Sequence, residues 1–262
     1  TLPEGDAAIL RVGAVLLILV FAIKGALVPL QFWLPATYAL APGPVAALFA
    51  IMTKVGAYAT IRTGTLIFPP TTPATGTLIA DLLAPAALAT LALGAVGVLG
   101  ATGLARQAAF AAIASMGTLF IAVATFTPQG TTAALYYLLH STLGGAMLFL
   151  VVDLVTDRRG TDTTRRALPP IAQQGLLAVL FFAAAIAMAG MPPISGFLGK
   201  LLVMDATRGP GMGLIWGTIL VGSFLTILGF ARSGSTIFWK SHETQPEEPA
   251  RHAREPLAWV AV

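Results

Sequence analysis

The chain has 262 residues, of which 56% are hydrophobic and 10% charged, with a formal net charge of +4 and no cysteine. A soluble domain usually carries about 25% charged residues, so the composition points to an all-α polytopic membrane protein rather than a water-exposed globular domain. The lack of cysteine excludes disulfides, thiolate catalysis and cysteine-held metal or iron–sulfur sites. The basic residues stand singly in apolar runs or in short loops, not in a stripe interleaved with aromatics, which argues against a nucleic-acid partner.

Residues 1–6 read as a polar lead, followed by a first span from Ala7 to Val28 that carries Lys24. Pro29 has no N–H and is expected to break this helix one turn past Lys24. A short half-helix follows through Trp33 and Tyr38, and Ala41–Pro44 is a turn. The second span runs from Val45 to Phe68 and holds Lys54 ten residues in, roughly 15 Å along the helix at ~1.5 Å per residue. After the loop 69–77 comes a third span, Leu78 to Gly100, with Asp81 at its entrance and Pro85 inside. Ala108 to Phe126 is the fourth, rich in the small residues that favour close helix packing in lipid. Thr132 to Val155 is the fifth and contains Tyr136, Tyr137 and His140. The loop 156–170 is solvated. A long apolar run from Gln174 to Ala206 is interrupted by GMPPISG at 190–196, with Lys200 just beyond, and Met212 to Trp239 is the seventh span. Residues 241–255 read as a polar loop, and Pro256 as the opening of an eighth span. Both ends read as cut, so the sequence is expected to be part of a longer membrane protein.

Loop charges orient these spans. Arg106, Arg158, Arg159, Arg165, Arg166, Arg232, Lys240, Arg251 and Arg254 fall on one side, against Arg11, Arg62 and Arg208 on the other. The positive-inside rule places the richer side in the cytoplasm and Thr1 outside.

The chemistry is expected from charges that hydrocarbon resists. An ammonium at mid-membrane costs about 2.5–3.5 kcal/mol on insertion scales. Lys24, Lys54 and Lys200 lie inside spans, so each needs a polar partner, a hydrated path or a role. The plain reading is a lysine that only sets helix position. The functional reading rests on the breaks: Lys24 precedes one at Pro29, and Lys200 follows one at Pro192 and Pro193. Broken helices expose backbone groups that must face protein or water, and a pair of interrupted segments in corresponding halves marks a transporter's ion site. His140 reads either as an interhelical hydrogen-bonding histidine or as a relay between lysines, since imidazole takes both protonation states near neutrality. Asp81, Asp153 and Asp205 sit near span ends and read as interfacial. There is no phosphate loop, no HExxH-type metal spacing and no nucleophile elbow, so no ATP-driven pumping, metal or cofactor is expected in this chain.

The stretch KGALVPLQFWLPATYALAPGPVAALFAIMTKVGAYATIR resembles the core signature of the proton-translocating antiporter-like subunits. These include the large membrane-arm subunits of respiratory complex I and of the Mrp (Pha) multisubunit cation/proton antiporters. YYLLHSTLGGAMLFLVVDLV, AIAMAGMPPISGFLGKLLV and LGFARSGSTIFWK are most similar to the D subunits of the Mrp type. The resemblance covers nearly the whole chain and implies a helical bundle with discontinuous helices, built from inverted five-helix repeats. Residues 1–68 would be the end of the first repeat (spans seven and eight), 69–240 the second repeat (spans nine to thirteen), and 241–262 a loop and the start of span fourteen. It implies a proton-translocation role for Lys24, Lys54, His140 and Lys200, with Lys24 paired to a span-five glutamate outside this sequence. Many relatives have a lysine where this chain has Gly145, so His140 or water would have to bridge there. The implied function is a proton-translocating subunit of a Na⁺(K⁺)/H⁺ antiporter: a secondary transporter subunit rather than an enzyme, in a bacterial plasma (inner) membrane, with other antiporter subunits, lipid, protons and monovalent cations as partners. A membrane-arm subunit of complex I or of a related hydrogenase is the alternative, and a non-conducting scaffold the third reading.

Overall fold

A computed structural model describes residues 4–241 of the chain. The expected loop and eighth span at 242–262 lie outside the described residues. The elements are α1 (Glu4–Lys24), α2 (Trp33–Leu40), α3 (Gly43–Arg62), α4 (Leu78–Gly100), α5 (Leu104–Val123), α6 (Pro128–Arg159), α7 (Gln174–Ala189), α8 (Ser195–Ala206) and α9 (Met212–Gly234). A π-helical turn extends α3 over Thr63–Ile67, and another extends α9 over Ser235–Trp239. Among the described residues, six helical stretches are long and apolar enough to cross a membrane: 7–24, 43–67, 78–100, 104–123, 128–159 and 212–239. At 16 and 12 residues, α7 and α8 reach about 24 and 18 Å, each short of the ~30 Å hydrocarbon core. They divide one expected run between them.

Local signals explain most of the boundaries. α6 begins at Pro128 rather than Thr132 because Thr127 caps it, its hydroxyl accepting from the Gly130 N–H at 3.0 Å, with Pro128 in the first turn. Its far end is closed by Gly160 in the left-handed region. α1 ends at Lys24, earlier than the Val28 expected from Pro29. The stop is made by backbone geometry ahead of the proline. Ala26 takes a left-handed φ of 53°, its N–H bonds the Ile23 carbonyl, and the Leu27 N–H bonds the Ala22 carbonyl. This paired closure satisfies carbonyls that the helix would otherwise leave open.

The bundle is organised around α5, whose spanning stretch is almost wholly enclosed. Its sequence, LARQAAFAAIASMGTLFIAV, is dominated by small side chains, which let neighbouring backbones come close without a hydrophobic driving force. Two glycines set the contact with α4. A Cβ on Gly94 would run into the Ala114 backbone, and one on Gly117 would run into Leu91 and the Ala87 carbonyl. α2, α3, α6, α8 and α9 complete the ring around α5.

The loops gather as the charge pattern requires. On one side the Arg232 guanidinium donates to the Leu99 carbonyl at 2.6 Å, closing the end of α4, the Thr164 N–H bonds the Thr102 carbonyl, and the Gln174 amide donates to the Phe238 carbonyl. This joins the α4–α5 turn, the loop after α6 and the end of α9. On the opposite side Arg11 donates to the Ala74 carbonyl at 2.6 Å. A break followed by a half-helix and then a long helix ending in a π turn occurs twice, over 25–67 and over 190–239.

Gly117→Val forces a branched side chain into the α4 backbone. We expect it to destabilise the folded chain by about 1–3 kcal/mol, the usual cost of overpacking, read as a lower thermal midpoint in detergent. An unchanged midpoint contradicts the close α4–α5 contact.

Candidate functional site

The second break creates polar backbone in the interior, and that is where the site is built. α7 stops at Ala189. Gly190 adopts φ 77°, its N–H bonds the Ala187 carbonyl, and the Met191 N–H bonds the Ile186 carbonyl. This is the same closure as at α1, with glycine in place of Ala26. The helix terminus carries partial negative charge and has carbonyl lone pairs left to fill. Two side chains fill them.

Lys200, in the second turn of α8, is 8% exposed. Its Nζ donates to the Ala189 carbonyl and to Ser223 Oγ of α9, both at 2.7 Å. The ammonium therefore sits on the C-terminal pole of α7, where a cation is favoured. Gly190 makes room for it, because a Cβ there would collide with the Lys200 stem. His140, in the middle of α6, is also 8% exposed. Its Nε2 lies 3.1 Å from the Ala187 carbonyl and its Nδ1 2.8 Å from Ser195 Oγ. The ring thus touches both halves of the broken helix. Gly196 provides the space, since a Cβ there would meet the Ala187 carbonyl and the His140 ring.

Lys54 of α3 is 3% exposed. Its Nζ donates to Ser115 Oγ at 3.4 Å and lies 3.2 Å from Met116 Sδ, both on α5. His140 is within electrostatic reach of both Lys200 and Lys54. Tyr137 packs its ring 5.7 Å from that of His140 and turns its hydroxyl toward Thr118 of α5. Lys54, His140 and Lys200 are therefore gathered in one interior region, drawn from α3, α6 and α8, with hydroxyls of α5, α8 and α9 around them. Among the described residues neither lysine has a carboxylate partner in an ion pair, and the pair Arg208–Asp205 lies at the surface.

Lys24 stands apart. It is the last residue of α1 and is exposed on the described chain. It borders a pocket of about 180 Å³ with Trp33, Thr37, Tyr38, Phe49 and Met52. Its Cβ still lies close to Gly56, two residues beyond Lys54. At this first break Trp33 Nε1 donates to the Ile23 carbonyl at 3.0 Å, and the Val28 N–H donates to Thr90 of α4 at 2.9 Å. Pro29, Pro192 and Pro193 all lie inside the two breaks, beyond the residues that end the helices. Asp81 is exposed and accepts from Thr77, and Asp153 borders a cavity of about 410 Å³ beside the loop that carries Asp162.

Sequence reasoning named Lys54, His140 and Lys200 but not the groups that hold them: Ser115, Ser195, Ser223 and the carbonyls of Ala187 and Ala189. The GMPPISG stretch held part of the signal, because its two glycines are the ones against which Lys200 and His140 rest. Isolated serines in apolar helices are too common to be singled out without the fold.

The sequence matches a family model described as NADH:quinone oxidoreductase/Mrp antiporter, transmembrane, over residues 6–226. It is 34% identical over 260 residues to the D subunit of the Na⁺/H⁺ antiporter of Bacillus subtilis (strain 168), covering 99% of this chain and 52% of that protein. It is 32% identical over 274 residues to the D subunit of the probable K⁺/H⁺ antiporter of Rhizobium meliloti (strain 1021), covering 92% and 50%. A chain in the structure of the Mrp complex from Dietzia sp. DQ12-45-1b matches with a TM-score of 0.82 and 31% identity, over 94% of this chain and 45% of that one. A chain of respiratory complex I from Thermus thermophilus matches with a TM-score of 0.82 and 26% identity, over 99% and 54%. The chain spans about half the length of the curated relatives it matches.

Gly190→Ala places a Cβ at a left-handed position and against the Lys200 stem. The backbone strain alone is expected to cost about 1–2 kcal/mol, seen as a lower thermal midpoint of the purified protein. A midpoint equal to wild type rules out this account of the break.

Proposed function

The chain belongs to the NADH:quinone oxidoreductase/Mrp antiporter transmembrane family, and from that premise we propose that it works as the proton-carrying membrane part of a multisubunit monovalent cation/proton antiporter. Lys54, His140 and Lys200 carry protons through the interior of the bundle, and cation movement is coupled to the changes of charge along them. The observation that carries this reading is the interior placement of three protonatable groups with no carboxylate partner among the described residues, two of them seated on carbonyls freed by a broken helix. A scaffold does not require such groups, since charges inside a membrane protein are costly to keep. Their supporting hydroxyls and carbonyls can hold an ammonium or an amine, and an imidazolium or an imidazole, which suits groups whose charge changes in each cycle.

Lys24 belongs to the same path at its exposed end. The surface around it is apolar, with Ile23, Phe32, Met52 and Val55 exposed. A lysine on such a face calls for a carboxylate on the element that covers it, and the remaining half of the subunit, which the matched relatives possess, is the natural source. The two broken-helix units then read as the end of a first repeat, residues 1–68, and a second repeat, residues 69–240. The partners of the subunit are other antiporter subunits, and its place is a bacterial plasma (inner) membrane, with the arginine-rich loops on the cytoplasmic side.

Lys54→Ala is expected to abolish Na⁺(K⁺)/H⁺ exchange in the assembled complex, measured as cation-induced dissipation of a pH gradient in everted vesicles. Undiminished exchange sinks the proposal. Replacement of Lys54 and Lys200 by Met or Leu with full assembly and full flux supports the scaffold role instead.

A further inference from the structure

We propose that Ser195 is the proton relay of His140: the imidazole takes up and releases its proton through the Ser195 hydroxyl, while its other nitrogen stays fixed on the Ala187 carbonyl. The inference rests on the proton-carrying role proposed above for His140.

The argument begins with what each partner can do. A backbone carbonyl only accepts, so His140 Nε2, 3.1 Å from the Ala187 oxygen, carries its hydrogen in that contact. A proton leaving from Nε2 would set two acceptors against each other, the bare ring nitrogen and the Ala187 oxygen. That leaves Nδ1 as the exchanging nitrogen. Its partner, Ser195 Oγ at 2.8 Å, is a hydroxyl, able both to donate and to accept. With neutral imidazole the hydroxyl donates to Nδ1, and with imidazolium it accepts from the Nδ1–H. Both hydrogen bonds survive the change, and only the hydroxyl hydrogen turns.

Packing holds the ring to this geometry. Gly196 lies against both the Ala187 carbonyl and the ring, at a distance that a single added carbon would close. Exposure gives the relay a direction. His140 is buried, whereas Ser195, at the start of α8, is exposed together with Met191, Pro192 and Pro193 of the break. The hydroxyl therefore connects an enclosed imidazole to the face of the break that the described residues leave uncovered. On uptake, a protonated water on that side gives a proton to Ser195 Oγ as the hydroxyl proton passes to Nδ1. The water is left neutral, the serine unchanged and the ring an imidazolium. Release runs in reverse. Among the described residues, the charged groups within reach of the ring are Lys200 and Lys54.

The test compares Ser195→Thr with the nearly isosteric Ser195→Val in the whole antiporter complex, with assembly checked by the yield of purified complex and exchange measured in everted vesicles. Ser195→Thr should exchange within about twofold of wild type, and Ser195→Val should lose roughly 100-fold, the low end of what a positioned proton donor contributes. Equal exchange by the two variants overturns the relay. His140→Ala separates this from the parent reading: normal exchange there removes the role of His140 altogether, whereas loss in His140→Ala with normal Ser195→Val removes the relay alone. A second readout needs no variant. In wild-type complex labelled with ¹⁵N-histidine, neutral His140 should show the Nε2–H tautomer, and an Nδ1–H tautomer overturns the assignment.

Discussion

Ending a helix inside a membrane bundle leaves carbonyl groups that lipid cannot satisfy. Each unmatched group costs several kcal/mol in hydrocarbon, so a broken helix survives only where something donates to its last turn. At the end of α7 the closure by Gly190 and Met191 uses the carbonyls of Ala187 and Ile186, His140 adds a second donor to that of Ala187, and Lys200 donates to that of Ala189. The dependence is mutual. The break needs donors, and the two protonatable side chains need acceptors that tolerate a change of charge. The partial negative charge of the helix terminus serves both states, favouring the cation without supplying a carboxylate that would lock it as a salt bridge.

The first break shows the same backbone solution with different occupants. α1 closes through Ala26 as α7 closes through Gly190, and the carbonyl equivalent to that of Ala187 belongs to Ile23. There the donor is the Trp33 indole rather than an imidazole. An indole N–H donates permanently and does not titrate, so this end is fixed. The charge nearby, Lys24, belongs to the closing turn itself and lies on an exposed face. One break therefore gathers protonatable groups inward, and the other presents its lysine outward to whatever covers it.

Between the breaks, α5 lets the parts approach. Its Ala, Gly, Ser and Thr residues bring α4 to backbone contact and allow Ser115 to reach Lys54 and Thr118 to face Tyr137. A wider helix of leucines would bury as much apolar surface and push these groups apart. The same economy of side-chain size at Gly190 and Gly196 lets Lys200 and His140 reach the backbone.

By itself the sequence determined the class of the molecule, the order of its apolar runs and the neighbourhood of both breaks, and it singled out Lys24, Lys54, His140 and Lys200 as charges or titratable groups inside spans. Each of these follows from local composition: uninterrupted apolar length, proline and glycine clusters, and charges where hydrocarbon resists them. It also carried the loop-charge asymmetry, and contacts such as Arg232 to Leu99 bring those loops to one side. Only the tertiary structure decided which candidates meet. Lys24 looks equivalent to Lys54 in one dimension, yet the first sits on an outer face and the second against α5, because which side of a helix faces inward is set by its neighbours. The end of α1 at Lys24 was equally hidden, since the left-handed alanine that closes it, Ala26, has no sequence signature and is held there by its surroundings. The same holds for Ser195, Ser223 and the carbonyls of Ala187 and Ala189: a hydroxyl or a backbone oxygen acquires a role only when packing brings a titratable group within hydrogen-bonding distance of it.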